Sequence, residues 1–218
     1  MQDLLPSLRS LKISSCPQLE SFPEQGLPSK LVALSVSDCD KLITGRKDWG
    51  LQSLCSLKTF VIEQEKNIES FPEIGLLPTS LTSLYIFGFE NLTSLNSKGL
   101  HSLSSLEKLF IGECPKLHSF SKEGQILPAS LTTLLIYDMD LKSLDTLGLH
   151  HLTCLKNFHI IDCQNLRSMP AEGLSSSLSD LFIYGCPLLE KRCRRKKGKD
   201  WPLVSHIRCV VIEDVLMT

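Results

Sequence analysis

Apolar residues recur along the chain in one figure, L-x-x-L-x-I-x-x-C-x-x-L. Its first copy is Leu8, Leu11, Ile13, Cys16 and Leu19. The figure begins again at Leu31, Leu57, Leu81, Leu106, Leu131, Leu155 and Leu178, in steps of 23 to 26 residues. Within each copy the L-x-I segment alternates apolar and polar with period two, as a short, half-buried strand requires. Leu11 and Ile13 are expected to point inward, and Ser10, Lys12 and Ser14 outward. Unit six departs from the figure. After Met139 the next leucine, Leu141, comes one residue early, so a shorter bend is expected there.

A second marker keeps the same clock. Gly26, Gly50, Gly75, Gly99, Gly124, Gly148 and Gly173 are 24 or 25 residues apart, which suggests a bend that needs positive φ in every unit. A two-unit period overlies this. Odd units start at 8, 57, 106 and 155 and end in proline or serine turns such as Gly26-Leu27-Pro28, Leu77-Pro78 and Leu127-Pro128. Even units end in helix-like stretches, Leu51–Leu57, Leu100–Leu106 and Leu149–Leu155. Repeats of roughly 20–29 residues with this consensus predict a leucine-rich-repeat solenoid. The expected fold is an α/β horseshoe with a concave parallel β-sheet and an irregular or short-helical convex side. One unit cannot bury its own leucines, so the fold exists only as a stack. Residues 1–190 are expected to form about eight repeats, and 191–218 a basic loop with a capping segment. In that segment Ile207, Val210 and Ile212 can add a last strand, and Trp201 can cover the end of the core.

Alternation also names the outward strand residues. One row reads Lys12, Ser35, Val61, Tyr85, Phe110, Leu135, His159, Phe182, and the next Ser14, Ser37, Glu63, Phe87, Gly112, Tyr137, Ile161, Tyr184. From unit four onward these rows are mostly apolar or aromatic. Large apolar patches on a surface mark contact sites, and aromatic side chains are what interfaces favour as anchors. Tyr85, Phe87, Phe110, Tyr137, His159, Ile161, Phe182 and Tyr184 are therefore the candidate protein-binding residues. The plainer alternative is that aromatics suit strands and cover one another.

Composition narrows the chemistry. With 42% hydrophobic and 22% charged residues the chain can bury a core, and a net charge of −1 gives no global attraction to nucleic acid or membrane. The N-terminus shows no basic segment followed by an apolar run, so no signal peptide is expected. Five of nine cysteines (Cys16, Cys39, Cys114, Cys163, Cys186) occupy one repeat position, which suits buried free thiols in a reducing compartment better than a disulfide framework. A cytoplasmic location is expected on that ground, and the single sequon, Asn91-Leu92-Thr93, is discounted. No phosphate-cradling glycine loop, zinc-protease or nucleophile-elbow motif occurs. His150, His151 and Cys154 cluster without a fourth ligand and read as solvated residues. No enzyme activity, cofactor or metal is expected. One charge feature stands out. Lys191, Arg192, Arg194, Arg195, Lys196, Lys197 and Lys199 form a run of seven basic residues. It reads as a solvated cap edge or a contact for an anionic partner surface; nuclear import, nucleic acid and anionic lipid are lesser alternatives.

The C-terminal segment is distinctive: Cys186-Pro187-Leu188-Leu189-Glu190, Gly198-Lys199-Asp200-Trp201-Pro202, then His206-Ile207-Arg208-Cys209-Val210-Val211-Ile212-Glu213-Asp214. Together with the cysteine-type units and the G-L-P-x-S-L turns, it resembles the C-terminal repeat region of plant nucleotide-binding leucine-rich-repeat disease-resistance proteins, coiled-coil class, RPP13-like. The likeness covers essentially the whole chain; Arg208 departs from the proline more usual there. The resemblance implies recognition of a pathogen effector or a guarded host protein, and restraint of a nucleotide-binding switch domain that this chain does not contain. With only seven residues before the first unit, the chain is expected to be a fragment or the distal part of a larger product. Two other roles compete. A cytosolic adaptor or substrate receptor would be expected to bring an F-box-like helical segment, and none is seen. An inert truncated fragment is the other.

Overall fold

The computed structural model describes residues 5–23, 26–118, 120 and 127–217. Each repeat contributes one strand to a single sheet: β1 (Ser10–Ser14), β2 (Ala33–Ser37), β3 (Thr59–Glu65), β5 (Ser83–Phe89), β7 (Lys108–Gly112), β8 (Thr133–Tyr137), β9 (Asn157–Ile161) and β10 (Asp180–Tyr184). Two short convex strands, β4 (Ser70–Phe71) and β6 (Ser94–Leu95), pair with each other. β11 (Cys209–Ile212) continues the main sheet in parallel, and β12 (Val215–Leu216) closes it antiparallel. The main sheet thus has ten strands in chain order. The last parallel strand was expected; the antiparallel closing strand was not.

The register matches the repeat. Lys12 lies beside Ser35, Ser35 beside Val61, Val61 beside Tyr85, and so on through Phe110, Leu135, His159 and Phe182. A slip of one residue anywhere would turn the leucines outward, so the buried face fixes the pairing. From the second unit on, the L-x-I residues (Leu34 and Val36, Phe60 and Ile62, Leu109 and Ile111, for example) are 0–1% exposed. In the first unit Leu8, Leu11, Ile13 and Cys16 are only half-buried, because the described residues place no unit beyond them.

The motif cysteines end the strands. The thiols of Cys39, Cys114 and Cys186 donate to the carbonyls of Ser37, Gly112 and Tyr184, each two residues back, at 3.1–3.2 Å. Cys39 and Cys186 Sγ also accept the backbone N–H of Cys16 and Cys163 in the neighbouring unit, both at 3.4 Å. A small, apolar, weakly hydrogen-bonding side chain fits this crowded turn. Burial pushes the Cys114 thiol up to about 11, so it stays protonated and unreactive at neutral pH.

The two-unit period has a mechanism. After the proline or serine turns, the hydroxyls of Ser80, Ser130 and Ser177 donate to the carbonyls of Leu57, Leu106 and Leu155 at the start of the preceding unit. Between these, Ser53 and Ser102 bond instead to Gly50 and Gly99 within their own turn. The helix-like stretches prove shorter than expected: one-turn 3-10 segments at Leu51–Ser53 and Leu149–His151, and α2 (Ser97–His101), which ends where the second stretch was to begin. α1 (Asp40–Thr44) was not foreseen. The glycine clock also needs correction. Gly26, Gly50, Gly75, Gly148 and Gly173 have φ of +62 to +81°, but Gly99 does not. It lies in α2, where a Cβ would sit 2.0 Å from Pro72 O, so close packing and not backbone handedness requires glycine there. Gly124 lies outside the described residues.

Candidate docking face on the concave sheet

The two outward rows lie side by side on the concave face, as the alternation requires. Tyr85, Phe87, Phe110, Tyr137, His159, Ile161 and Phe182 are half-buried and Tyr184 is 48% exposed. Much of the covering is mutual. Tyr85 stacks on Phe110 with ring centroids 4.6 Å apart and planes 4° from parallel, and His159 stacks on Phe182 at 4.6 Å and 10°. Strand spacing of about 4.8 Å sets this ring separation. Burial pushes the His159 pKa below its ordinary value, against the opposing pull of Asp180, so at neutral pH a neutral imidazole meets Phe182. The two stacked pairs leave their rings fewer rotamers to freeze, a property that lowers the cost of binding.

Gly112 breaks the second row. A Cβ there would lie 2.4 Å from Tyr137 O and 3.0 Å from Phe87 Cε1, so no side chain fits. Beside it is an open recess of about 480 Å³ lined by Glu63, Gln64, Phe87, Glu113, Leu135 and Tyr137.

Sequence reasoning missed the rim of this face. The residue that follows the second row takes positive φ in unit after unit: Ser15, Asp38, Gln64, Gly88, Glu113, Asp138, Asp162 and Gly185. Its N–H reaches over to the next strand's carbonyl, as in Ser15 to Ser37, Asp38 to Glu63, Glu113 to Tyr137 and Asp162 to Tyr184, at 2.8–3.2 Å. A signal was present, since polar and small residues that tolerate this conformation recur there, but a non-glycine position hides it. The consequence is a row of carboxylates along one border of the aromatic rows.

The basic run sits elsewhere, on the C-terminal end of the solenoid, and it is not one loop. Lys191 and Arg192 belong to α3 (Pro187–Cys193), and Cys193 is fully buried. Arg192 grips Asp200 through Nε at 2.9 Å and Nη2 at 2.6 Å, so it is committed internally and is a poor candidate for an outside partner. Asp200 Oδ2 also accepts the backbone N–H of Met169 at 3.0 Å. Gly198 must be glycine, since a Cβ would meet Arg192 O at 1.9 Å. The G-x-D-W-P segment thus locks α3 and α4 (Trp201–Val204) over the last repeat, with Val204 and Ile207 buried and Trp201 half-buried against the core. Lys191, Arg194, Arg195, Lys196, Lys197 and Lys199 remain exposed.

On the convex side His150 pairs with Glu172 at 2.9 Å and lies against His151. Among the described residues no group of three or more His, Cys, Asp or Glu side chains is placed to hold a metal ion, and no helix is long and apolar enough to cross a membrane.

No protein-family model and no curated protein matches the chain. Solved structures do. The leucine-rich-repeat domain of the type III effector XopL superposes with a TM-score of 0.56 at 24% identity, covering 83% of this chain and 61% of that one. CroV588, a circular leucine-rich-repeat protein, matches at a TM-score of 0.48 and 20% identity over 82% of this chain and 27% of that one. The chain spans about three fifths of the XopL domain. The strand-per-repeat sheet and this likeness agree: the chain is a leucine-rich-repeat solenoid.

Proposed function

We propose that the chain is the protein-binding repeat module of a plant innate immune receptor. In this reading it recognises a pathogen effector or a guarded host protein through the concave face and restrains a nucleotide-binding switch domain. It works as a scaffold and not as an enzyme, in the cytoplasm, with nuclear entry open to it through the exposed part of the basic run. The observation that carries the binding role is the run of aromatic and aliphatic side chains on adjacent strands from β5 to β10, facing outward on one continuous sheet. Stacking within pairs accounts for part of that composition, yet Tyr184 and the open recess remain facing solvent. The receptor class rests on the resemblance of the repeat type and of the G-x-D-W-P cap.

The test is a titration of the purified chain with the nucleotide-binding switch domain of a disease-resistance protein of this class. Binding is expected, and the combined Tyr137→Ala, Phe182→Ala and Tyr184→Ala variant should weaken it at least tenfold while keeping its thermal midpoint within a few degrees. Absence of binding by the folded chain to that domain would remove the restraint role. Equal binding by the folded variant would remove the concave face from it.

A further inference from the structure

The recess beside Gly112 brings aromatic walls and carboxylates together in one concavity. Phe87 and Tyr137 flank it two strand spacings apart, about 10 Å, and Leu135 lies beside it on the first row. Its remaining lining is Glu63, Gln64 and Glu113, with no basic residue. A second recess of about 450 Å³ shares Gln64 and Glu113 and adds Asp38, Gly88, Glu90, Pro115 and a single lysine, Lys66. Among the described residues none of the carboxylates of Asp38, Glu63, Glu90 and Glu113 is in an ion pair. Glu63 and Glu113 thus stand without a cationic partner between the two aromatic walls, and Asp38 and Glu90 add charge in the adjoining recess, where Lys66 is the one basic residue.

Resting on the reading of the concave sheet as a docking face, we infer that this recess receives a lysine or arginine side chain carried beside apolar residues in a partner protein segment. Aromatic ring faces attract cations, and carboxylates add charge-assisted hydrogen bonds that are shorter and stronger than neutral ones. Leu135 and the ring edges offer apolar surface to the methylene stem of such a side chain. An acidic or purely apolar anchor would strip water from Glu63 and Glu113 without replacing it, which is costly. Charge complementarity therefore selects the occupant, and the stacked pairs on β5 and β7 and on β9 and β10 supply apolar contact to the neighbouring residues of the segment.

Panning a library of random dodecapeptides against the folded chain tests this, with the folded Tyr137→Ala, Tyr184→Ala variant as counter-selection. Peptides that depend on the concave face should be enriched in Lys or Arg adjacent to Leu, Phe or Tyr. The best of them should bind about tenfold more weakly to the Glu63→Gln, Glu113→Gln variant, whose fold is checked by circular dichroism. Its affinity should also fall when salt is raised from about 0.05 to 0.5 M. Peptides that need Tyr137 and Tyr184 but show no basic excess, and that bind the double Gln variant equally, would overturn the cation while leaving the docking face standing. Recovery of no peptide, or only of peptides indifferent to the tyrosines, would count against both.

Discussion

At the scale of single residues, the inward positions are the securest part of the reading. Leu109 and Ile136 are fully buried between neighbouring strands. Replacing either with alanine should cost about 2–5 kcal/mol in denaturant unfolding by leaving a cavity. Unchanged stability would mean that the register is wrong. The cysteines offer a second check. Cys55 and Cys154 are exposed, whereas Cys39, Cys114, Cys163, Cys186 and Cys193 are buried. Brief alkylation of the native chain followed by mass spectrometry should label the first two and spare the other five; labelling of Cys114 before unfolding would contradict the packing. One residue went unread, although the repeat register marks its place. Glu65 takes the position that cysteine holds in other units and is 1% exposed. Its Oε1 accepts the N–H of Asn67 at 2.7 Å, but its Oε2 has no hydrogen-bond partner. Burial, with Asp40 nearby, raises its pKa above the usual 4.5. The folded state therefore holds the proton more tightly than the unfolded one, and stability falls as pH rises from 4.5 through the folded value. Glu65→Gln should stabilise the chain at neutral pH by about 1–3 kcal/mol, and the gain should vanish as pH falls below 4.5. A pH-independent difference would place the cause elsewhere.

At the scale of the element, the strands were legible because period two and the step of 23 to 26 residues agree independently. The convex side was legible only in outline. One-turn helices have no periodicity to detect, and a recurrent glycine reports the need for glycine without its reason. Gly75 and Gly99 show the difference. Gly75 has φ of +73° and open space around it, so Gly75→Asn should be nearly neutral and Gly75→Ala should cost about 1–2 kcal/mol. Gly99→Ala drives a methyl group into Pro72 O and should cost more than either. Thermal midpoints of the three variants would order them, and a Gly99→Ala protein as stable as Gly75→Asn would contradict the contact. The concave rows were named residue by residue in advance, but their acidic border was not, because it arises from a backbone conformation shared by chemically unlike residues.

At the scale of the whole molecule, the solenoid is a one-dimensional stack in which each unit completes its neighbour's core. Its C-terminal end is closed by α3, α4 and the strand pair β11–β12, and Asp200 is the joint. Asp200→Ala leaves the buried Met169 N–H without its acceptor and frees Arg192. Hydrogen exchange in β10 and β11 should rise in that variant while β2 and β3 keep their protection; a uniform change along the stack would show that the units unfold as one. The hydrogen bonds of Asp200 and the close approach of Gly198 to Arg192 O give the physical reason for the Asp and the Gly of the G-x-D-W-P segment.

The concave face can be tested directly because all three tyrosines of the chain, Tyr85, Tyr137 and Tyr184, lie on it. The measurement is tyrosine nitration of the chain alone and saturated with the nucleotide-binding switch domain proposed above as its partner, quantified by mass spectrometry. Protection of Tyr137 and Tyr184 in the complex is the expected result. A complex that forms while both tyrosines react at the rate of the free chain would show that binding uses another surface.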